Sequence, residues 1–289
     1  IIDSLNNSII TGHYGEIFKA KDSAIITRRA MAINIVDQDS LFIHADTLVA
    51  TGPQDKRILR GYYDVRILKS DIRGRSDSLY LDQSIGLTKL LSRPLTNQQE
   101  QIFTEADRNG ANPVLWFGES QMSGDKIFLL SDLVTNKLDS LKITGNIFII
   151  EKDTLSLDGY HQIKGGILNG AFKEGRLDNI VITKNTEMVY YLYNDEDLQL
   201  IGIDKTTCSA LQMNFTDGQI ENITFLVSPN GDVYPEEELP LNDRTLKGFI
   251  WRITERPETI EDLFDEKDRE EQFPEILSLK FPEEEFKNK

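Results

Sequence analysis

From about residue 24 to residue 228 the chain alternates apolar and polar side chains in short runs broken by Gly, Asp, Asn and Ser. Such a period-two pattern belongs to strands with one buried face. In Tyr63-Asp64-Val65-Arg66-Ile67 the apolar residues take every second position and charges lie between, so the two sets point to opposite faces. Leu79-Tyr80-Leu81, Ile127-Phe128-Leu129 and Gly145-Asn146-Ile147-Phe148-Ile149 repeat the pattern. Met188 to Tyr193 and Ile223 to Val227 are apolar on both faces and predict strands covered on both sides.

A degenerate repeat runs through the same region: an apolar residue, a small Gly or Ala soon after, polar residues, then an apolar one. It reads Ile43-His-Ala-Asp-Thr-Leu48, Ile72-Arg-Gly-Arg-Ser-Asp-Ser-Leu79, Met122-Ser-Gly-Asp-Lys-Ile127 and Leu157-Asp-Gly-Tyr-His-Gln-Ile163. Self-similarity of this kind marks stacked units sharing one core, and the small residue suits a strand that bends where sheets close. Ordinary turn-to-strand punctuation is the competing explanation. Asp-Ser/Thr-Leu/Ala triplets begin at Asp3, Asp22, Asp39, Asp46, Asp77, Asp139 and Asp153. Local side-chain bonds at turns account for them; the alternative is bacterial O-glycosylation, which an unmodified intact mass would exclude.

Two segments leave the β pattern. Thr96 to Arg108 predicts a short helix, capped by Thr96 with Gln99 and stopped near Gly110. Residues 236–289 form an acidic C-terminal extension of 17 acidic and 9 basic residues, which is −8 of the chain's −16. A short helix is expected over about 257–264. Beyond it the tail is either disordered or docked through Ile276, Leu277, Leu279 and Phe281.

The net charge of −16 disfavours nucleic acid as a partner, since phosphate would repel the chain. No stretch approaches the roughly 18 apolar residues of a spanning helix. Cys208 is the only cysteine, which excludes an intrachain disulfide and a Cys-clustered zinc site and leaves the compartment open. Ile1 follows no leader, so either one was removed or this is a piece of a longer chain.

No nucleophile elbow, phosphate loop or dinucleotide fingerprint is present; the Gly165, Gly166 and Gly170 spacing is wrong and reads as a turn. His13, His44 and His161 lack ligand spacing, and His44 beside Asp46 has no third partner. No catalytic residue, metal or cofactor is expected. One basic island, Lys56 to Arg75, holds Arg57, Arg60, Arg66, Arg73 and Arg75. Arginine suits bidentate phosphate contact, so these five are candidate head-group contacts; pairing with acidic neighbours explains them equally.

The repeat units resemble the organic-solvent-tolerance A (OstA-like) family, which includes the periplasmic lipopolysaccharide-transport protein LptA and the N-terminal domain of its outer-membrane partner LptD. The residues that carry the likeness are Asp39 to Leu48, Ile72 to Leu81, and Asn112 to Trp116 with Gln121 to Ile127. It covers roughly Ser23 to Tyr193, fades towards Val227, and looks closest to the Bacteroidetes kind. The helix-like insert and acidic extension depart from the short LptA proteins.

The resemblance implies an all-β twisted jelly-roll over residues 1–235. Two antiparallel sheets would enclose an apolar trough, with open edges for partners of the envelope. It implies a periplasmic, non-enzymatic component binding lipopolysaccharide or the acyl chains of lipid A. Leu41, Ile43, Val65, Ile67, Leu79, Leu81, Ile127, Leu129, Ile147 and Ile149 would line the trough. On this reading a charge at Ile147 or Leu129 abolishes lipid binding. Two other readings compete: an envelope scaffold with a closed core, and a β-solenoid carbohydrate enzyme, which would need clustered carboxylates and exposed aromatics on one face.

Overall fold

The computed structural model describes residues 1–3, 8–35, 40–93, 96, 104–216 and 219–265. The first strands are β1 (Ile2–Asp3), β2 (Ser8–Thr11), β3 (Tyr14–Phe18), β4 (Ser23–Thr27), β5 (Met31–Asn34), β6 (Leu41–His44), β7 (Thr47–Thr51), β8 (Ile58–Leu68), β9 (Arg73–Asp82) and β10 (Leu87–Leu91). A short helix α1 (Glu105–Ala111) follows, then β11 (Val114–Phe117), β12 (Ser120–Ser123), β13 (Lys126–Ser131), β14 (Leu138–Lys152), β15 (Tyr160–Lys173), β16 (Arg176–Tyr193), β17 (Leu200–Thr216), β18 (Gln219–Val227) and β19 (Asn230–Tyr234). The fold is all-β; among the described residues every pairing is antiparallel, and the sheet folds onto itself as a two-layered jelly-roll with α1 as the one α-helix.

Layer A runs β1-β2-β5-β6-β8-β9-β11-β12-β14-β15-β16-β17-β19, and layer B runs β3-β4-β7-β8-β9-β10-β13-β14-β15-β16-β17-β18. The long strands β8, β9 and β14 to β17 belong to both, giving one half to each layer. Their crossing points are bulges: register shifts lie between Tyr62 and Val65, Thr144 and Ile147, Lys164 and Ile167, and Thr183 and Thr186. At three of them a residue pair takes the left-handed conformation, namely Tyr63-Asp64, Gly145-Asn146 and Lys184-Asn185; Arg28-Arg29 does so between β4 and β5. Each pair turns the chain sharply, which is how a bulge bends a strand from one layer into the other.

Two small residues of the repeat, Ala45 and Gly124, stand opposite these bends, as does Gly12. The N–H groups after Gly12, Ala45 and Gly124, on His13, Asp46 and Asp125, donate to the carbonyls of Arg28, Tyr63 and Gly145 at 2.8, 3.0 and 2.9 Å. A Cβ on Gly12, Gly124 or Gly165 would lie 2.4 Å from the Cγ2 of Ile26, Ile143 or Ile182. The bend has no room for one. The copies at Ile43 and Met122 are therefore corners, Gly74 backs onto Leu115, and Gly159 of the fourth copy sits in a hairpin turn beside Ser156 instead.

The described part of the predicted helical segment contains the start of α1. Thr104 caps it, accepting from the Asp107 N–H while the Asp107 carboxylate accepts from the Thr104 N–H, and it runs through Gly110 to stop before Asn112-Pro113. The Asp107 carboxylate is a charged acceptor, which suits it to the first-turn donors. Residues 97–103 of the predicted helix lie outside the described ones.

The interior between the layers is one apolar cluster, and Ile43, Leu48, Leu115, Ile127, Ile143, Ile147, Leu168, Ile182 and Leu211 are buried in it. A second cluster lies outside layer A, where Phe148, Ile150, Val189, Tyr191 and Ile203 meet Leu239 and Leu246. Residues 235–265 form this cover, a strap of short 3-10 turns lying along the sheet. Over 257–264 the element present is one such turn, Ile260–Leu263, capped by Thr259. The tail residues Ile276, Leu277, Leu279 and Phe281 lie outside the described ones.

Candidate functional site

The strands place the ten trough candidates on inward positions, and the structure then divides them. Leu41, Ile43, Ile67, Leu81 and Leu129 wall an open cavity of about 260 Å³ between the layers, together with Ile72, Leu115 and Leu138. Its rim mixes polar Asn34, Lys69, Gln83, Asp132 and Asn136 with the exposed apolar side chains of Ile35 and Leu133. Val65, Leu79, Ile127 and Ile147 are instead packed into the closed middle of the cluster, at 0, 2, 0 and 0 % exposure. Ile149 borders a gap of about 10 Å³ nearer the other end.

Among the described residues open space lies at this end of the interior, and the middle is packed. A cavity of roughly 150 Å³ can hold one benzene, so this one takes a single short apolar segment and not a bundle of chains. A charge at Ile147 would break the core before it reported on any ligand. Leu129 is a sounder probe because its neighbours leave space.

The five head-group candidates also separate. Arg66 donates to the Asp64 carboxylate and to the Asp262 carbonyl, Arg75 to Asp64 and Glu255, and Arg73 stands 3.8 Å from Glu258. These three hold the strap's end on layer A. Arg60 lies on the outside of layer B, donating to Thr51 over the Tyr80 ring. Arg57 is in the β7–β8 connection, where its carbonyl accepts from the Gln83 N–H at 3.3 Å. Asp64 lies within the island, but the strap partners Glu255 and Glu258 lie some 180 residues away in sequence, so that part of the island's occupation could not be read from it.

Burial works against the charge of Asp64, yet the guanidiniums of Arg66 and Arg75 outweigh it and hold the carboxyl below its usual range. Glu255 is lowered the same way by Arg252 and Arg75, again against burial. His161, stacked on Tyr190 with Nδ1 accepting from the Tyr191 N–H, is pushed down by burial. All three groups bind protons more readily when unfolded, so stability rises with pH. His161 acts first: stability is full above its unfolded value of about 6.5 and declines as pH falls from there. The urea midpoint is expected to drop as pH falls below about 6.5, and His161→Phe to flatten the first part of that decline while leaving the steeper carboxylate loss at lower pH.

Ser120, Glu151 and His161 are cross-strand neighbours that sequence reading missed, because their spacing means nothing until β12, β14 and β15 pair. The serine hydroxyl donates to the Glu151 carboxylate, while Nδ1 of His161 is taken by the Tyr191 N–H. Among the described residues no three His, Cys, Asp or Glu are grouped to hold a metal. No described helix is long and apolar enough to cross a membrane.

The strand edges complete the site's geometry. Among the described residues β1 and β3 at one end, and β18 and β19 at the other, pair on one side only.

These features define a two-layered antiparallel β-protein with an apolar end cavity and open edges. No protein-family model and no curated protein matches the chain. Among solved structures it is similar to LptH of Pseudomonas aeruginosa, described as the LptA-homologous periplasmic component of the conserved lipopolysaccharide transport device. The match spans 57% of this chain and 95% of that one, at 10% identity and a TM-score of 0.37. At that score the fold description rests on the chain's own strand pairing.

Proposed function

We propose that this chain is a periplasmic, non-enzymatic lipopolysaccharide-binding and transport component that holds acyl chain in its end cavity and joins partner proteins through its open edges. The cavity carries this reading. Its wall is aliphatic, its mouth mixes polar groups with exposed Ile35 and Leu133, and each methylene moved from water into it contributes about 0.8 kcal/mol, so five contribute about 4. Sugar and phosphate would stay at the rim beside Lys69. A partner's edge strand could extend either end of the sheet by backbone hydrogen bonds.

The second reading, an envelope scaffold with a dry interior, draws support from the packed middle around Val65, Ile127 and Ile147. Leu81→Trp separates the two, because the half-buried Leu81 borders open space that an indole can fill without displacing the core. Lipid recovered from the purified variant is expected to fall at least tenfold with an unchanged thermal midpoint. Equal lipid in variant and parent, or none in the parent, favours the scaffold.

A further inference from the structure

The cations of this protein are not treated alike. On layer A, Arg66, Arg75, Arg244, Arg252 and Arg256 all pair with carboxylates, most of them from the strap. On the outer face of layer B, Arg60, Lys89, Lys126 and Lys142 pair with none among the described residues, although the chain carries 48 Asp plus Glu.

Strand register lines three of these cations up. Arg60 faces Tyr80, Tyr80 faces Lys89, Lys89 faces Phe128 and Phe128 faces Lys142, a row that alternates cation and ring across β8, β9, β10, β13 and β14. At about 4.8 Å per strand the row extends about 19 Å. In this row and the two beside it, from β7 to β14, the only carboxylate is Asp82, which already accepts from Tyr80 and Ser84. The flanking rows add exposed Tyr62 and Leu130, and the edge strand β3 adds exposed Tyr14 and Phe18 on either side of Glu16, whose carboxylate accepts from the Tyr14 hydroxyl.

We propose that the outer face of layer B docks flat on an anionic lipid surface. Cations on a face this broad meet head-group phosphates, while exposed rings and leucine suit the interfacial layer, where an amphipathic ring is stable. The protein's net negative charge does not cancel the attraction. Strap carboxylates lie beyond the opposite layer, at least about 10 Å further off, and screening at physiological salt acts over about 8 Å. An acidic peptide fits less well, since a row running across the strands forms no groove to hold one. The inference goes beyond lipid carriage and does not depend on what fills the cavity.

Cosedimentation of the whole chain with vesicles of phosphatidylglycerol and phosphatidylcholine, against phosphatidylcholine alone, tests it. Binding is expected only to the anionic vesicles and to weaken as salt rises. At about fivefold per cation, Lys89→Gln with Lys142→Gln should lower partitioning about 25-fold, while Lys247→Gln, on the strap, leaves it unchanged. Both lysines are surface groups, and an unchanged thermal midpoint certifies the fold. No binding to anionic vesicles overturns the proposal, as does binding that the double variant retains or that Lys247→Gln reduces equally. Capture of polyglutamate without vesicle binding overturns it in favour of an acidic protein partner. Leu81→Trp, which blocks the cavity, is expected to dock as the parent does.

Discussion

Gly124→Ala is expected to lower stability by about 3 kcal/mol, at the upper end of ordinary overpacking, read as a fall in the urea midpoint. The added Cβ would lie 2.4 Å from the Ile143 Cγ2 and 3.0 Å from the Gly145 carbonyl oxygen. Neither can retreat. Ile143 is β-branched and fully buried, and the carbonyl accepts the Asp125 N–H that closes the corner. Gly15→Ala is the matched control, because there the nearest atoms are 3.6 and 3.8 Å away. Its effect should be within about 0.5 kcal/mol, or slightly stabilising through a less flexible unfolded chain. Equal losses at the two glycines would mean that the corner is not where space is short.

That contrast bears on what the sequence discloses. Alternation sufficed to place Ile43, Ile127 and Ile147 inside, because a strand's two faces follow from its period alone. It could not separate Leu129 at the cavity from Ile127 in the packed middle, since the distance between layers is set by residues far off in the chain. The bends were half visible. Gly145-Asn146 has the composition of a left-handed pair, whereas Tyr63-Asp64 and Lys184-Asn185 do not, and the latter are held by the surrounding fold. Small residues at Ala45 and Gly124 gave the corners away from the other side, while Gly12 gave no signal, and Gly165 to Gly170, which read as a turn, lie within β15, with Gly165 at its bend. The strap was hidden most fully. Charge and proline make it read as a tail, and its anchors Leu239, Leu246, Leu263 and Phe264 have no period because side chains of layer A, not a strand ladder, hold its backbone.

Gln121→Ala with Gln162→Ala is expected to free that strap, and the amides of Leu246 and Arg252 should exchange with solvent about a thousandfold faster. Each glutamine is buried on the outer face of layer A and uses both amide arms on the strap. Gln162 donates to the Arg244 carbonyl and accepts from the Leu246 N–H, both at 2.9 Å. Gln121 donates to the Ile250 carbonyl at 2.9 Å and accepts from the Arg252 N–H at 2.7 Å. Residues two apart are thus engaged as a neighbouring strand would engage them. At about 1 kcal/mol net per bond, four bonds shift the opening equilibrium by about 4 kcal/mol, which is the thousandfold. The loss cannot exceed the strap's own docking free energy, because beyond that point it opens locally while the two layers stay folded. Amides of β15 and β16 should therefore keep their protection, and protease should cut between 235 and 265 first. Protection lost together in the strap and in β16 would show instead that the cover is part of the global folding unit, and that Phe148, Val189 and Tyr191 cannot remain ordered without Leu246 over them.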